Sequence, residues 1–91
     1  METKQCSVII ANKLGLHARA AAKFVRLAES FSATISVTKD QQTVNAKNII
    51  EVMLLAATYG TVLKLRAVGK DAELALAALS KLVAQDFEEL E

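Results

Sequence analysis

The chain carries one imidazole, and its neighbours are those of an anion site. His17 lies in Gly15-Leu16-His17-Ala18-Arg19, between a glycine-containing loop and an alanine-rich stretch that reads as a helix. The first N–H groups of a helix have no intrahelical partner and sit at the positive end of its dipole. A helix N-terminus is therefore ready to receive an anion. Arg19 adds a permanent charge and a planar set of donors suited to phosphate oxygens. An imidazole nitrogen placed there can act as a nucleophile and hold a phosphoryl group covalently.

Other chemistries fit poorly. No Asp or Glu lies between residues 3 and 28, so no local carboxylate is available to orient or activate His17. The glycine pattern is not a P-loop, and there is no second histidine to complete a metal pair. Taken alone, a lone histidine before a helix is more often an ordinary surface or capping residue. The residues by themselves leave both readings open.

The elements that must position His17 are legible from periodicity. Cys6, Val8 and Ile10 alternate with Gln5, Ser7 and Ile9 and predict a first strand whose inward face includes a buried Cys6. Residues 12–16 read as a loop. Ala18 to Phe31 reads as a helix with Phe24, Val25, Ala28 and Phe31 inward and Lys23, Arg26 and Glu29 towards solvent. Leu27 falls outside the apolar stripe and is expected to be partly exposed. Ala33, Ile35 and Val37 alternate in a second strand, and Gln42 to Ala46 returns from a turn as a third. Asn48 is a good cap for a short helix from Ile49 to about Ala57. Leu63, Leu65 and Ala67 form a fourth strand. Asp71 is expected to cap a last helix that buries Ala75, Leu79, Leu82 and Val83. Tyr59 reads as a loop residue, and the acidic end, Asp86 to Glu91, as a solvated helix terminus. The order βαββαβα predicts one two-layer α+β domain over residues 1–91, its helices on one face of the sheet.

Composition narrows the class. Apolar residues make up 53% of the 91, and mean hydropathy is +0.30, which argues for a packed core and against disorder. A formal charge of +1 with interspersed signs argues against a nucleic-acid binder. Cys6 is the only cysteine, which excludes an intrachain disulfide and a cysteine-cluster metal site. The N-terminus lacks the apolar core of a signal peptide, and the apolar run from Val52 ends at Thr58, too early to cross a bilayer. A cytoplasmic protein without membrane insertion is expected.

Several segments in order resemble the HPr family, the histidine-containing phosphocarriers of the sugar phosphotransferase system. These are Lys13-Leu14-Gly15-Leu16-His17-Ala18-Arg19, then Phe24-Val25 and Phe31, Asn45-Ala46-Lys47, and Gly69-Lys70-Asp71. The resemblance implies an open-faced β-sandwich with a four-stranded antiparallel sheet. It implies that His17 is phosphorylated on Nδ1 by enzyme I and passes the group to an enzyme IIA-type acceptor. Arg19 would position the group, and the amides of Ala18 and Arg19 would cradle it. Partners would dock on Leu16, Ala22, Arg26, Ile49, Ile50 and Met53. No cofactor and no metal ligand are expected in this chain, and a monomer is expected because docking needs this surface free.

Two positions depart from the family pattern. Ala20 stands where the motif continues with proline. Alanine keeps the helix and regains an N–H. Asn48 stands where kinase-regulated members carry a serine, so that form of regulation is not expected. Other readings remain beside the sugar-system carrier: a carrier of the parallel nitrogen-related branch, a protein that docks without transferring, and a generic α+β ligand-binding or oligomerisation module. The last leaves the lone histidine unexplained.

Overall fold

Seven regular elements follow one another in the expected order: β1 (Thr3–Ile9), α1 (Ala18–Glu29), β2 (Thr34–Lys39), β3 (Gln42–Asn45), α2 (Ile49–Leu54), β4 (Val62–Val68) and α3 (Ala72–Ala84). They come from a computed structural model that describes residues 2–88. The four strands form one antiparallel sheet in the order β1-β4-β2-β3.

Strand periodicity decides which face is covered. Cys6 pairs with Leu65, and Leu65 pairs with Val37, so one row of inward side chains crosses three strands. Val8 and Leu63 form the next row, and both are buried. The intervening row, Ser7, Lys64, Thr38 and Thr43, is polar and faces away from the core. An antiparallel sheet wetted on one face and packed on the other gives this alternation. α3 lies on β1 and β4, and α1 packs against α2 and α3. Phe24, Val25 and Ala28 of α1 join Leu76, Leu79 and Val83 of α3 in one apolar cluster with the sheet. Each large apolar side chain removed from water there contributes about 1.5–3 kcal/mol.

Several local expectations are corrected. α1 ends at Glu29, where the Ser30 N–H bonds the Leu27 carbonyl, and Phe31 is half-buried. α2 ends at Leu54 because the chain enters the left-handed region at Ala56, φ 49°. Lys39 Nζ closes that end on the Leu55 carbonyl at 2.8 Å. Cys6 is half-buried, because β1 is an edge strand, and its Sγ lies 3.3 Å from Ser80 Oγ of α3. Leu27 is half-buried against the core, as expected.

Two acidic segments also behave differently from expectation. Asp71 is the N-cap residue of α3 but makes no side-chain cap. Its carboxylate instead accepts the Ser32 and Ala33 amides, both at 2.8 Å, and ties the α1–β2 corner to α3. The Asp86–Glu88 turn is not simply solvated. Its backbone is left-handed at all three residues, and Phe87 is fully buried. Lys23, expected in solvent, is half-buried and donates to the Phe87 carbonyl at 2.9 Å. The rest of the acidic end, residues 89–91, lies outside the described residues.

Candidate functional site

The loop that delivers His17 is fixed at both ends by backbone bonds to the segment between α2 and β4. Gly60 N–H donates to the Ile10 carbonyl at 2.7 Å, and Ile10 N–H donates to the Thr61 carbonyl at 2.9 Å. Further along, Leu16 N–H donates to the Ala57 carbonyl at 2.8 Å. Between these ties, Gly15 turns the chain with φ +68°, and a Cβ there would come within 2.6 Å of the Ala57 oxygen. Only glycine combines that backbone with that approach.

Leu16, expected to contribute to a docking surface, is only 7% exposed. Its side chain joins the core beneath the loop and anchors the residue before the histidine. This corrects the surface reading. In a half-turn of loop the alternation of side chains is set by the tertiary ties, not by a period that the sequence displays.

His17 is the N-cap residue of α1, with extended backbone at φ −75° and ψ 178°. Its carbonyl accepts the Ala21 N–H at 2.8 Å, the first intrahelical bond. The amides of Ala18, Arg19 and Ala20 therefore precede the helical ladder. His17 makes no side-chain cap to them, and the first turn contains no acidic residue. The imidazole is half-buried, while Ala18 and Arg19 are exposed. Ala20 is fully buried, so its methyl belongs to the core. These amides open a helix of twelve residues, long enough for the helix dipole to be felt at its end.

α2 supplies the apolar rim. Asn48 caps it as expected, accepting the Glu51 N–H on Oδ1 at 3.1 Å. Val52 and Leu55 are buried and hold the helix against the core. Ile49, Ile50 and Met53 are exposed, by 37%, 65% and 41%. Ala22 is half-buried and Arg26 is exposed on α1. Leu54, Leu14 and Tyr59 were not singled out as surface apolar residues, yet they are as open as Ile50. Leu54 was detectable, because it falls one helical turn after Ile50. Leu14 and Tyr59 lie in loops, where no period marks exposure.

Among the described residues, no group of three or more His, Cys, Asp or Glu is placed to hold a metal ion. Among the described residues, no helix is long and apolar enough to cross a membrane. A groove of about 400 Å³ lies at the far end of α1, lined by Lys23, Arg26, Leu27, Ser30, Leu82 and Glu88. His17 does not line it.

Comparison with known proteins now bears on this geometry. Residues 4–85 match the family model described as PTS HPr component phosphorylation site. The chain belongs to the HPr family. It is 46% identical over 82 residues to the phosphocarrier protein HPr of Xylella fastidiosa, covering 90% of this chain and 92% of that one. The phosphocarrier protein NPr of Shewanella violacea is 39% identical over 82 residues, covering 90% of each chain. HPr from Thermoanaerobacter tengcongensis superposes with a TM-score of 0.92 at 46% identity, covering 97% of this chain and 99% of that structure. The expected fold and family are borne out. The protein is an HPr phosphocarrier of the phosphotransferase system, a carrier and not an enzyme, and its partners are proteins of that system.

Proposed function

We propose that His17 is the residue that carries the phosphoryl group, taking it from phospho-enzyme I and giving it to an enzyme IIA-type acceptor. The observation that carries this reading is the placement of His17 at the start of α1. Its side chain is uncommitted to capping, and three amides and Arg19 follow it with no acidic residue in the turn.

The step is an exchange of N–P bonds. A lone pair of the His17 imidazole, on Nδ1 as the family resemblance implies, attacks the phosphorus. The N–P bond to the donor histidine breaks, and that imidazole leaves with the electron pair. The phosphoryl oxygens then lie against the Ala18 and Arg19 amides, and Arg19 steadies them. The reverse exchange delivers the group to the acceptor histidine, with no hydrolysis. Such transfer depends on positioning and charge stabilisation, so a small domain suffices when its partner supplies the rest. No resident cofactor or metal enters this scheme.

Ala22, Arg26, Ile49, Ile50 and Met53 form the docking surface in this reading, and Leu54 extends it. Their exposure beside α1 supports the assignment. The protein acts as a monomer in the cytoplasm, as one domain, with its α1–α2 face free. The similarity to NPr, together with Asn48 at the regulatory position, favours a second reading in which the same chemistry serves a regulatory, nitrogen-related branch.

The test is intact mass after incubation with cognate enzyme I, Mg²⁺ and phosphoenolpyruvate, before and after mild acid. One acid-labile phosphoryl adduct on the wild type, absent from His17→Ala, is expected. An adduct that persists in His17→Ala removes His17 from the role. No adduct on the wild type, with the enzyme I active on another carrier, leaves either a site impaired by Ala20 or a docking protein, and Ala20→Pro distinguishes the two. Competing acceptors from the sugar and nitrogen branches then separate the two readings by relative transfer rate.

A further inference from the structure

We infer that Asn12 is a positioning residue for phosphoryl transfer, acting on His17 through Gly15 and Leu16. This inference rests on His17 being the phosphoryl acceptor.

Asn12 is the one buried polar side chain among the described residues, with 1% of its surface exposed. Its Nδ2 donates to the Gly15 carbonyl at 2.7 Å. The Gly15 N–H donates back to the Asn12 carbonyl at 3.1 Å. The two bonds close a small ring over residues 12–15. The peptide of the Gly15 carbonyl also carries the Leu16 N–H, which is tied to the Ala57 carbonyl on the opposite side. The backbone leading to His17 is thus held between a side-chain donor and a neighbouring loop.

Asn12 is an odd choice for stability alone. Its Oδ1 is also buried and has no hydrogen-bond partner among the described residues. A buried amide with an unmet acceptor is unfavourable relative to an apolar side chain of similar size. The group that recoups something is Nδ2, and its bond is spent on the carbonyl two residues before the imidazole. What Asn12 supplies is a fixed direction for the Gly15–Leu16 peptide, and so for His17. Ring position matters because in-line transfer between two imidazoles requires both nitrogens and the phosphorus to be aligned.

The experiment compares Asn12→Asp, Asn12→Leu and Val83→Ala with the wild type, each as the full chain. Asp keeps the shape and loses the donor. Leu removes the amide altogether. Val83 is buried in α3, away from the loop, and reports a purely structural loss. Thermal midpoints are measured first, then kcat and KM for phosphorylation by enzyme I.

Both Asn12 variants are expected to lose on the order of 10-fold in kcat with KM within about twofold, since docking uses other residues. Asn12→Leu is expected to melt earlier as well, because the Gly15 carbonyl loses its donor, so its kcat is judged against that of the destabilised Val83→Ala. Val83→Ala is expected to melt earlier and transfer normally. Wild-type kcat in the folded Asn12 variants overturns the inference, as does a loss that follows the melting temperature in all three. If neither Asn12 variant folds, the wild type decides. Its Asn12 carboxamide NMR signals are expected to move on phosphorylation, and unmoved signals overturn the inference. A wild type that takes up no phosphoryl group, with active enzyme I, defeats the acceptor reading instead.

Discussion

Gly15 and Gly60 lie on the two segments that meet below His17, and replacing each by alanine separates two costs that usually arrive together. Both have positive φ, +68° and +87°. An L-residue held in that region costs about 1–2 kcal/mol. Both substitutions also stiffen the unfolded chain, which returns about 0.4–1 kcal/mol. The surroundings differ. A Cβ on Gly60 meets nothing within 4 Å. A Cβ on Gly15 meets the Ala57 oxygen at 2.6 Å and the Thr58 Cα at 2.9 Å, both backbone atoms. Backbone cannot rotate aside as a side chain can, so the loop must move, and overpacking of this kind costs about 1–3 kcal/mol.

Gly60→Ala is therefore expected to lose about 0–1.5 kcal/mol, and Gly15→Ala about 1–4.5 kcal/mol. The difference, about 1–3 kcal/mol, isolates the contact, because the conformational terms are shared. It corresponds to roughly 4–24 °C in melting temperature for a domain of this size. Urea unfolding gives the free energies, and transfer from enzyme I gives the functional consequence. The Leu16–Ala57 bond spans the displaced contact, so phosphorylation is expected to slow in Gly15→Ala and stay near wild type in Gly60→Ala. Equal destabilisation of the two, or a larger loss at Gly60, refutes the reasoning.

Three further outcomes are expected. The Ser32 amide, with the Ala33 amide beside it, holds the Asp71 carboxyl below the usual carboxylate range, against the opposing effect of burial. A lowered folded-state value means Asp71 stabilises the fold above its unfolded pKa and loses that contribution as pH falls through the folded value. Urea midpoints from pH 7 down to pH 2 should therefore decline less steeply in Asp71→Asn, which starts from a lower midpoint at pH 7; parallel profiles would contradict this. Asn48→Ala removes the α2 cap and should cost about 1 kcal/mol in urea unfolding, with no loss if the Glu51 amide is satisfied otherwise. Ala20→Pro gives up only an amide outside the helical ladder, so it should raise stability by about 0.4–1 kcal/mol and leave phosphorylation within about twofold. A lower melting temperature would show that the buried site has no room for the ring.

Much of this molecule is written in local patterns. The alternation of Ala33, Ile35 and Val37, and of Leu63, Leu65 and Ala67, determines strands with one wet face, because successive strand side chains point to opposite sides. Asn48 before Ile49 determines a helix start, because its side chain reaches only its own first turn. Gly15-Leu16-His17-Ala18-Arg19 places the histidine at a helix N-terminus for the same reason. The tertiary structure decided what depends on distant partners. β1 pairs with β4, although some fifty residues separate them. Asp71 abandons its own helix for the Ser32 and Ala33 amides, which only the packed corner brings within reach. Phe87 folds into the core from an acidic tail, and Leu16 turns under the loop while Leu14 and Tyr59 stay open. Asn12 is buried although Ala11 and Lys13 on either side of it are exposed, and nothing in those neighbours announces that. Periodicity reports only what a residue does along its own element; these six side chains take their roles from elements elsewhere in the chain.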